Sequence, residues 1–409
     1  MKPYSGSRVA LLVLSSAVGT AAQRDPSPHF RFDFGQGKPA AGYTKITPDT
    51  VYTTEAGYGF EQGSTVNAVD RGGDPLRGDF ITADRPFFFS VAVPEGHYRV
   101  TVTLGDKQDG SRTTVKAELR RLMLERFETG KGKVETRTFL VDVRRPQIST
   151  GGEVALKDRE KNLEAAAWDD KLTLEFNDKA PKICALEIAK ITGFPVLYIA
   201  GDSTSTDQPR EPFNSWGQML PRFLKPDIVV ANHGESGESL RSFIGERRLA
   251  KLASLMKRGD WLLIQMGHND QKQKGAADGA FTSYKAELKQ MIEEARTRGV
   301  TPILVTSMHR RTFGPDGKVT NSLGDYPEAV RQTAKEEGVA LIDLQVMSQQ
   351  FYEALGPERS ALAFAPNDGT HHNNYGSYQL AKCIVEGIRA AKLPLARHVI
   401  DSLPGYEPG

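Results

Sequence analysis

At 409 residues, with 39% hydrophobic and 25% charged side chains, the chain has the make-up of an ordinary folded protein with room for two or three domains, and wholesale disorder is excluded. A formal net charge of +2 supplies no field for nucleic acid or an anionic membrane, so an anionic ligand has to be met by local basic residues. The two cysteines, Cys184 and Cys383, each sit in an apolar neighbourhood, which favours two buried thiols over a disulfide and offers no structural zinc site.

In chain order, Lys2 and Arg8 precede the apolar run "VALLVLSSAV" and the small residues "GTAA". That layout predicts a secretory signal peptide over residues 1–22, cleaved after Ala22, and too short for a comfortable membrane span. No later segment approaches a span, so a secreted or periplasmic protein without membrane insertion is expected. Residues 28–192 read as strands: "FFFSVAV", "HYRVTVTLGD", "TRTFLVDVR" and "KLTLEFND" cluster or alternate β-formers between Gly, Pro, Asp and Asn. An antiparallel β-sandwich is expected. The stretch "TTVKAELRRLMLERFE" carries a helix-like period, but "TTVKAEL" alternates, and two strands joined through "RR" are expected there.

From Phe194 the pattern changes. The apolar runs "PVLYIA", "DIVVAN", "WLLIQM", "TPILVTS" and "VALIDL" recur, separated by segments long enough for helices. In "FTSYKAELKQMIEEARTRG", Leu288, Met291, Ile292 and Ala295 fall on one helical face and Gly299 closes the helix. Such alternation predicts an α/β domain over residues 194–396 with a parallel sheet covered on both faces, followed by a tail, 397–409. Ligands of such sheets gather at the carboxyl ends of the strands, which makes the residues just after each strand the ones to inspect.

The first strand ends in "GDSTS", where Ser203 is either an N-cap or a nucleophile. The second ends in "NHGESGES", where Gly237 lets a backbone N–H approach a ligand closely. The third ends in "GHND", with Asn269 able to offer an amide donor or to stabilise its own loop. The fourth ends in "MHRRTF", where Arg310 and Arg311 suit a carboxylate. Trp216, soon after the nucleophile turn, is suited to stacking on a sugar or to packing against the first helix. Further on, "DGTHH" places Asp368 three residues before His371, close enough for the carboxylate to hold the imidazole tautomer; His372 must point elsewhere. Nucleophile, base, orienter and oxyanion donors thus follow successive strands.

These blocks resemble the SGNH (GDSL-like) hydrolase family: "GDS" with Ser203, "GES" with Gly237, "GHND" with Asn269, and "DGTH" with Asp368 and His371. The family's first block often continues with leucine, where this chain has Thr204. That departure, with "GDSTSTDQP" and "DGTHHNNYG", looks most like the rhamnogalacturonan acetylesterase branch. The first half, through "FDFG", "GYGF" and "WDDKLTLEF", resembles a galactose-binding-like β-sandwich.

The resemblance implies a flavodoxin-like fold with a five-stranded parallel sheet and Ser203 at its switch point. It implies a triad of Ser203, His371 and Asp368, an oxyanion hole made by the N–H groups of Ser203 and Gly237 with the Asn269 amide, and no metal or organic cofactor. The expected partner is an acetylated polysaccharide or oligosaccharide, and the expected activity a secreted carbohydrate O-acetylesterase on rhamnogalacturonan. The alternatives are a xylan-type or small-ester esterase, and a non-catalytic glycan-binding protein. Trp216, Arg310 and Arg311 are the expected substrate contacts.

Overall fold

The computed structural model describes Met1 and residues 29–403; the expected signal peptide lies outside the described residues, as does the end of the C-terminal tail. The first half holds β1 (His29–Phe34), β2 (Thr44–Ile46), β3 (Tyr58–Phe60), β4 (Asn67–Asp70), β5 (Asp79–Thr82) and β6 (Phe87–Ala92). It continues with β7 (Gly96–Gly105), β8 (Ser111–Ala117), β9 (Arg121–Thr129) and β10 (Val134–Val143), then a short helix, α1 (Asp158–Lys161). The last two strands are β11 (Lys171–Ala180) and β12 (Lys182–Ile191).

These strands form two sheets. One runs β10-β7-β12-β1-β2 with β5 and β4 added beside β12, and the other runs β3-β6-β11-β8-β9. Phe32, Phe34, Phe60, Phe87, Phe89 and Phe176 pack between them in one buried core. Alternation sends every second side chain inward, as in β8, where buried and half-buried residues take turns. The pairing is antiparallel as expected, except that β1 and β2 run parallel. β8 and β9 are the two strands expected from "TTVKAELRRLMLERFE", turned by Glu118 and Arg120 at positive φ (54° and 61°).

The second half holds β13 (Val196–Gly201), α2 (Trp216–Met219), β14 (Val229–Asn232), α3 (Leu240–Gly245), α4 (Arg248–Leu255) and β15 (Trp261–Gln265). It ends with α5 (Lys285–Arg296), β16 (Thr301–Val305), α6 (Tyr326–Glu337), β17 (Ala340–Ile342), α7 (Leu344–Arg359) and α8 (Asn374–Ala390). All five strands are parallel, in the order β14-β13-β15-β16-β17, the flavodoxin-like arrangement. Successive residues of β13 serve opposite faces: Leu197 and Ile199 join the core under α8, and Val196, Tyr198 and Ala200 join the core under α5. The residues of α5 that are buried are the expected Leu288, Met291, Ile292 and Ala295.

The halves are knit together. Leu122 of β9 and Leu140 of β10 belong to the two cores of the parallel-sheet domain. Buried Arg121 donates from Nε to Asp207 Oδ2 at 2.6 Å and from Nη1 to the Asp142 carbonyl at 2.8 Å. The hairpin turn between β8 and β9 adds Arg120 to the carbonyls of Gln208 and Phe213 (3.1 Å each), while Gln218 Nε2 donates to the Leu119 carbonyl at 2.7 Å. Cys184 and Cys383 are free thiols, the first buried and the second half-buried. Among the described residues, no helix is long and apolar enough to cross a membrane, and no cluster of His, Cys, Asp or Glu is arranged to hold a metal ion.

Candidate active site

β13 runs between β14 and β15, so the chain leaving it enters the crevice at the sheet's switch point. The strand ends on Gly201, where only a glycine fits, since a Cβ there would lie 1.9 Å from Ser205 Oγ. The turn closes when the N–H groups of Ser205 and Thr206 donate to the Asp202 carbonyl (3.0 and 3.1 Å). No helix follows directly. Thr204 donates its N–H and hydroxyl to Asp202 Oδ1 (2.9 and 2.7 Å), and Thr206 Oγ1 donates to the Gly234 carbonyl at 2.7 Å. The polar residues after Ser203 therefore hold the turn, not a helix N-terminus. Asp202 bonds His268 Nδ1 at 3.2 Å beneath the crevice; burial raises its carboxyl, but His268 and Thr204 outweigh that and leave it lowered.

Ser203 Oγ lies 2.9 Å from His371 Nε2, and His371 Nδ1 lies 2.7 Å from Asp368 Oδ2. A carboxylate only accepts, so Nδ1 carries the proton and Nε2 is free to accept from the serine hydroxyl. Asp368 Oδ1 takes the N–H groups of Thr370 (2.7 Å) and His371 (2.9 Å), which fixes the carboxylate against the ring. Partial burial raises the Asp368 carboxyl, and these bonds together bring it below its ordinary value, so it stays ionised. His372 turns the other way into the core, meets Tyr352 Oη at 2.7 Å, and is pushed down to about 3, chiefly by burial.

Ser203 and His371 open into a cavity of about 640 Å³ that Gly237, Asn269 and Arg310 also line. Among the described residues the N–H groups of Ser203 and Gly237 have no hydrogen-bond partner. Asn269 donates from Nδ2 to the Glu238 carbonyl at 2.9 Å, and its Oδ1 accepts from Lys272 at 2.8 Å. The second amide hydrogen remains for the cavity. Arg310 is half-buried, and among the described residues its hydrogen-bond partners are neutral: the carbonyls of Ser322 (3.2 Å) and His268 (3.3 Å), the Ser322 hydroxyl (3.4 Å) and the Gln271 side-chain oxygen (2.7 Å). Arrangements of this kind activate a hydroxyl and receive a developing oxyanion.

Two expected contacts fall outside this cavity. Trp216 is fully buried, with Nε1 donating to Gln265 Oε1 at 2.9 Å, so it packs against the sheet and cannot stack on a sugar. Arg311 reaches away from the cavity to Ser360 Oγ (3.1 Å) and the Pro357 carbonyl (2.6 Å). Residues not singled out in the sequence take their places. Phe213 meets the His371 ring edge-on with centroids 6.0 Å apart, and Gln208, Lys272 and Arg159 also line the cavity. Arg159 comes from the first half of the chain, and no local pattern marks it.

Residues 199–378 match the GDSL-like lipase/acylhydrolase family, and residues 30–150 match the Beta-agarase/YXIM esterase-like, galactose-binding domain-like family. The rhamnogalacturonan acetylesterase RhgT of Bacillus subtilis (strain 168) is 37% identical over 220 residues, covering 50% of this chain and 94% of its own length. The uncharacterized esterase YxiM of the same strain is 29% identical over 376 residues, 88% of this chain and 90% of its own. The crystal structure of YxiM from Bacillus subtilis aligns over 90% of this chain and 99% of its own, at 26% identity and a TM-score of 0.49. The fold is that of an SGNH hydrolase behind a β-rich N-terminal domain, and the protein is a carboxylic ester hydrolase. It belongs to the GDSL-like lipase/acylhydrolase family.

Proposed function

We propose that this protein removes O-acetyl groups from an acidic, rhamnogalacturonan-type polysaccharide through an acetyl-serine intermediate, and that it does so after export. The observation that carries the chemistry is the unbroken chain from Ser203 Oγ to His371 (2.9 Å) to Asp368 (2.7 Å), beside two unpartnered N–H groups. His371 Nε2 takes the Ser203 proton as Oγ attacks the acetyl carbonyl, and ionised Asp368 stabilises the imidazolium. The oxyanion is received by the N–H groups of Ser203 and Gly237 and the Asn269 amide. The tetrahedral intermediate then breaks its bond to the sugar oxygen, which takes the proton from His371 and leaves as an alcohol. Water, deprotonated by His371, attacks acetyl-Ser203; acetate leaves and the hydroxyl is restored. Each oxyanion donor contributes about 2.7–4 kcal/mol to such a transition state.

The substrate class rests on charge and on the relatives. Arg310 faces the cavity without a carboxylate partner among the described residues, and Lys272 stands beside it. A galacturonate carboxylate suits that rim better than neutral xylan does. The nearby relative RhgT is named a rhamnogalacturonan acetylesterase. Export rests on the charged, then apolar, then small-residue layout of residues 1–22.

Acetate release from acetylated rhamnogalacturonan, acetylated xylan and p-nitrophenyl acetate tests both parts, with wild type and Ser203→Ala compared. Release from rhamnogalacturonan that vanishes in Ser203→Ala is the expected outcome. Turnover retained by Ser203→Ala refutes the mechanism, and release from xylan but not rhamnogalacturonan refutes the substrate class.

A further inference from the structure

The peptide that joins Ser236 to Gly237 is held at its carbonyl end by two cations from outside the parallel-sheet domain. Lys157 Nζ donates to the Ser236 carbonyl at 3.0 Å, and Arg159 Nη2 reaches the same oxygen. The two side chains also flank the loop. Lys157 pairs with Glu238, and Arg159 Nε donates to Glu235 Oε1 at 2.6 Å. Both cations belong to the arm that links β10 to β11. Glu160, the residue after Arg159, fixes the arm: it takes a two-pronged bond from Arg248 (2.9 and 2.6 Å), one from Trp168 Nε1 (3.0 Å) and one from the Lys157 N–H (2.8 Å). Glu160 and Arg248 are both buried, so the arm has a rigid seat.

A peptide unit is planar and trans, so its C=O and N–H point in opposite directions. Anchoring the Ser236 oxygen therefore aims the Gly237 N–H. The restraint matters at this position because Gly237 has a φ of +83°, and a glycine passes readily between conformations that would turn this N–H elsewhere. Positive charge on the oxygen also polarises the unit and strengthens its N–H as a donor.

We propose that Lys157 and Arg159 are positioning residues for ester cleavage, aiming and polarising the Gly237 N–H, so that the arm of the β-domain is a working part of the active site. The proposal rests on the reading of Gly237 as an oxyanion donor. It predicts that losing the cations lowers turnover of any ester, including a small neutral one to which a guanidinium has nothing to bind. A direct role for Arg159 in holding an acidic sugar would instead raise KM for acidic substrates alone.

The test uses the full chain and p-nitrophenyl acetate, with kcat and KM measured for wild type, Arg159→Ala, Lys157→Ala, the double variant, Arg159→Lys and Ser203→Ala. Expected losses in kcat are about tenfold for each single Ala variant and about a hundredfold for the double, the worth of one oxyanion donor. KM should stay within about twofold and Arg159→Lys should recover part of the rate, because a cation returns to the same oxygen. Inhibition by a boronic acid, whose serine adduct mimics the tetrahedral intermediate, should weaken in parallel with kcat. Should the double variant fail to fold, the single variants and Arg159→Lys carry the same comparison. A folded double or single variant with wild-type kcat overturns the proposal, as does an effect confined to KM for acidic glycans. Turnover retained in Ser203→Ala overturns the underlying mechanism instead, so the two failures are distinguishable.

Discussion

Asp270 follows Asn269 in the chain and is buried, with Oδ1 accepting the Leu240 N–H at 2.8 Å and Oδ2 left without a partner among the described residues. Burial pushes its carboxyl up to about 7, with nearby Asp202 adding to the rise against the opposing Leu240 bond. In the unfolded chain an aspartate loses its proton near 3.9. Between about 4 and about 7 the folded state therefore keeps a proton that the unfolded state has released, and stability falls as pH rises through that window before levelling off. Asp270→Asn is neutral throughout and keeps an oxygen for Leu240. Its gain in Tm over wild type should grow from almost nothing at pH 4 to several degrees at pH 8. Thermal unfolding at both pH values checks this; an equal shift at both would mean that Asp270 is ionised in the fold at either pH.

At the scale of elements, the placement of His371 depends on how α8 begins. Asn373 caps it, accepting the Gly376 N–H at 3.1 Å while its Nδ2 donates to the carbonyls of Leu362 (2.9 Å) and Phe364 (3.1 Å). Gly376 lets the first turn sit against the Ala363 carbonyl: a Cβ there would lie 2.0 Å from that oxygen and 2.8 Å from the His372 ring. Gly376→Ala must push the helix and His372 aside, and His371 with them. We expect a destabilisation of about 1–3 kcal/mol and a kcat loss of about tenfold or more, measured by urea unfolding and p-nitrophenyl acetate turnover. Wild-type values for both would show that α8 can slide without disturbing the site.

What was legible in the sequence follows from the same scale. The five strands, the inward face of α5 and the residues at each strand's carboxyl end were readable because period and chain order record them locally. Position near a nucleophile says nothing of direction, so the sequence leaves Trp216 open between stacking and packing; the structure buries it, bonded to Gln265. Arg310 and Arg311 are neighbours in sequence, yet only the first turns into the cavity. Arg159 reaches the cavity by a long-range docking that no window of sequence contains.

Across the whole molecule the two halves behave as one packed body. Arg121 and Asp207 are both buried at their junction, and Asp207 Oδ1 also accepts from Asn232 at 2.8 Å. Arg121→Leu leaves that carboxylate buried without its cation, a loss of about 3–5 kcal/mol. Chemical denaturation should show the loss, and the wild-type chain should unfold in a single transition. Two separated transitions, with only one moved by Arg121→Leu, would mean that the halves are independent.

The docked arm has a consequence for how the enzyme comes into being. Lys157 and Arg159 are synthesised well before the loop of residues 235–238 that they grip, and N-terminal domains generally fold first during synthesis. The β-domain can thus act as a template on which the later half sets, with Arg248 finding Glu160 already in place. Exchange of this domain for an unrelated one would remove the template and the grip together. The partners open to this catalytic half are those that carry an equivalent arm.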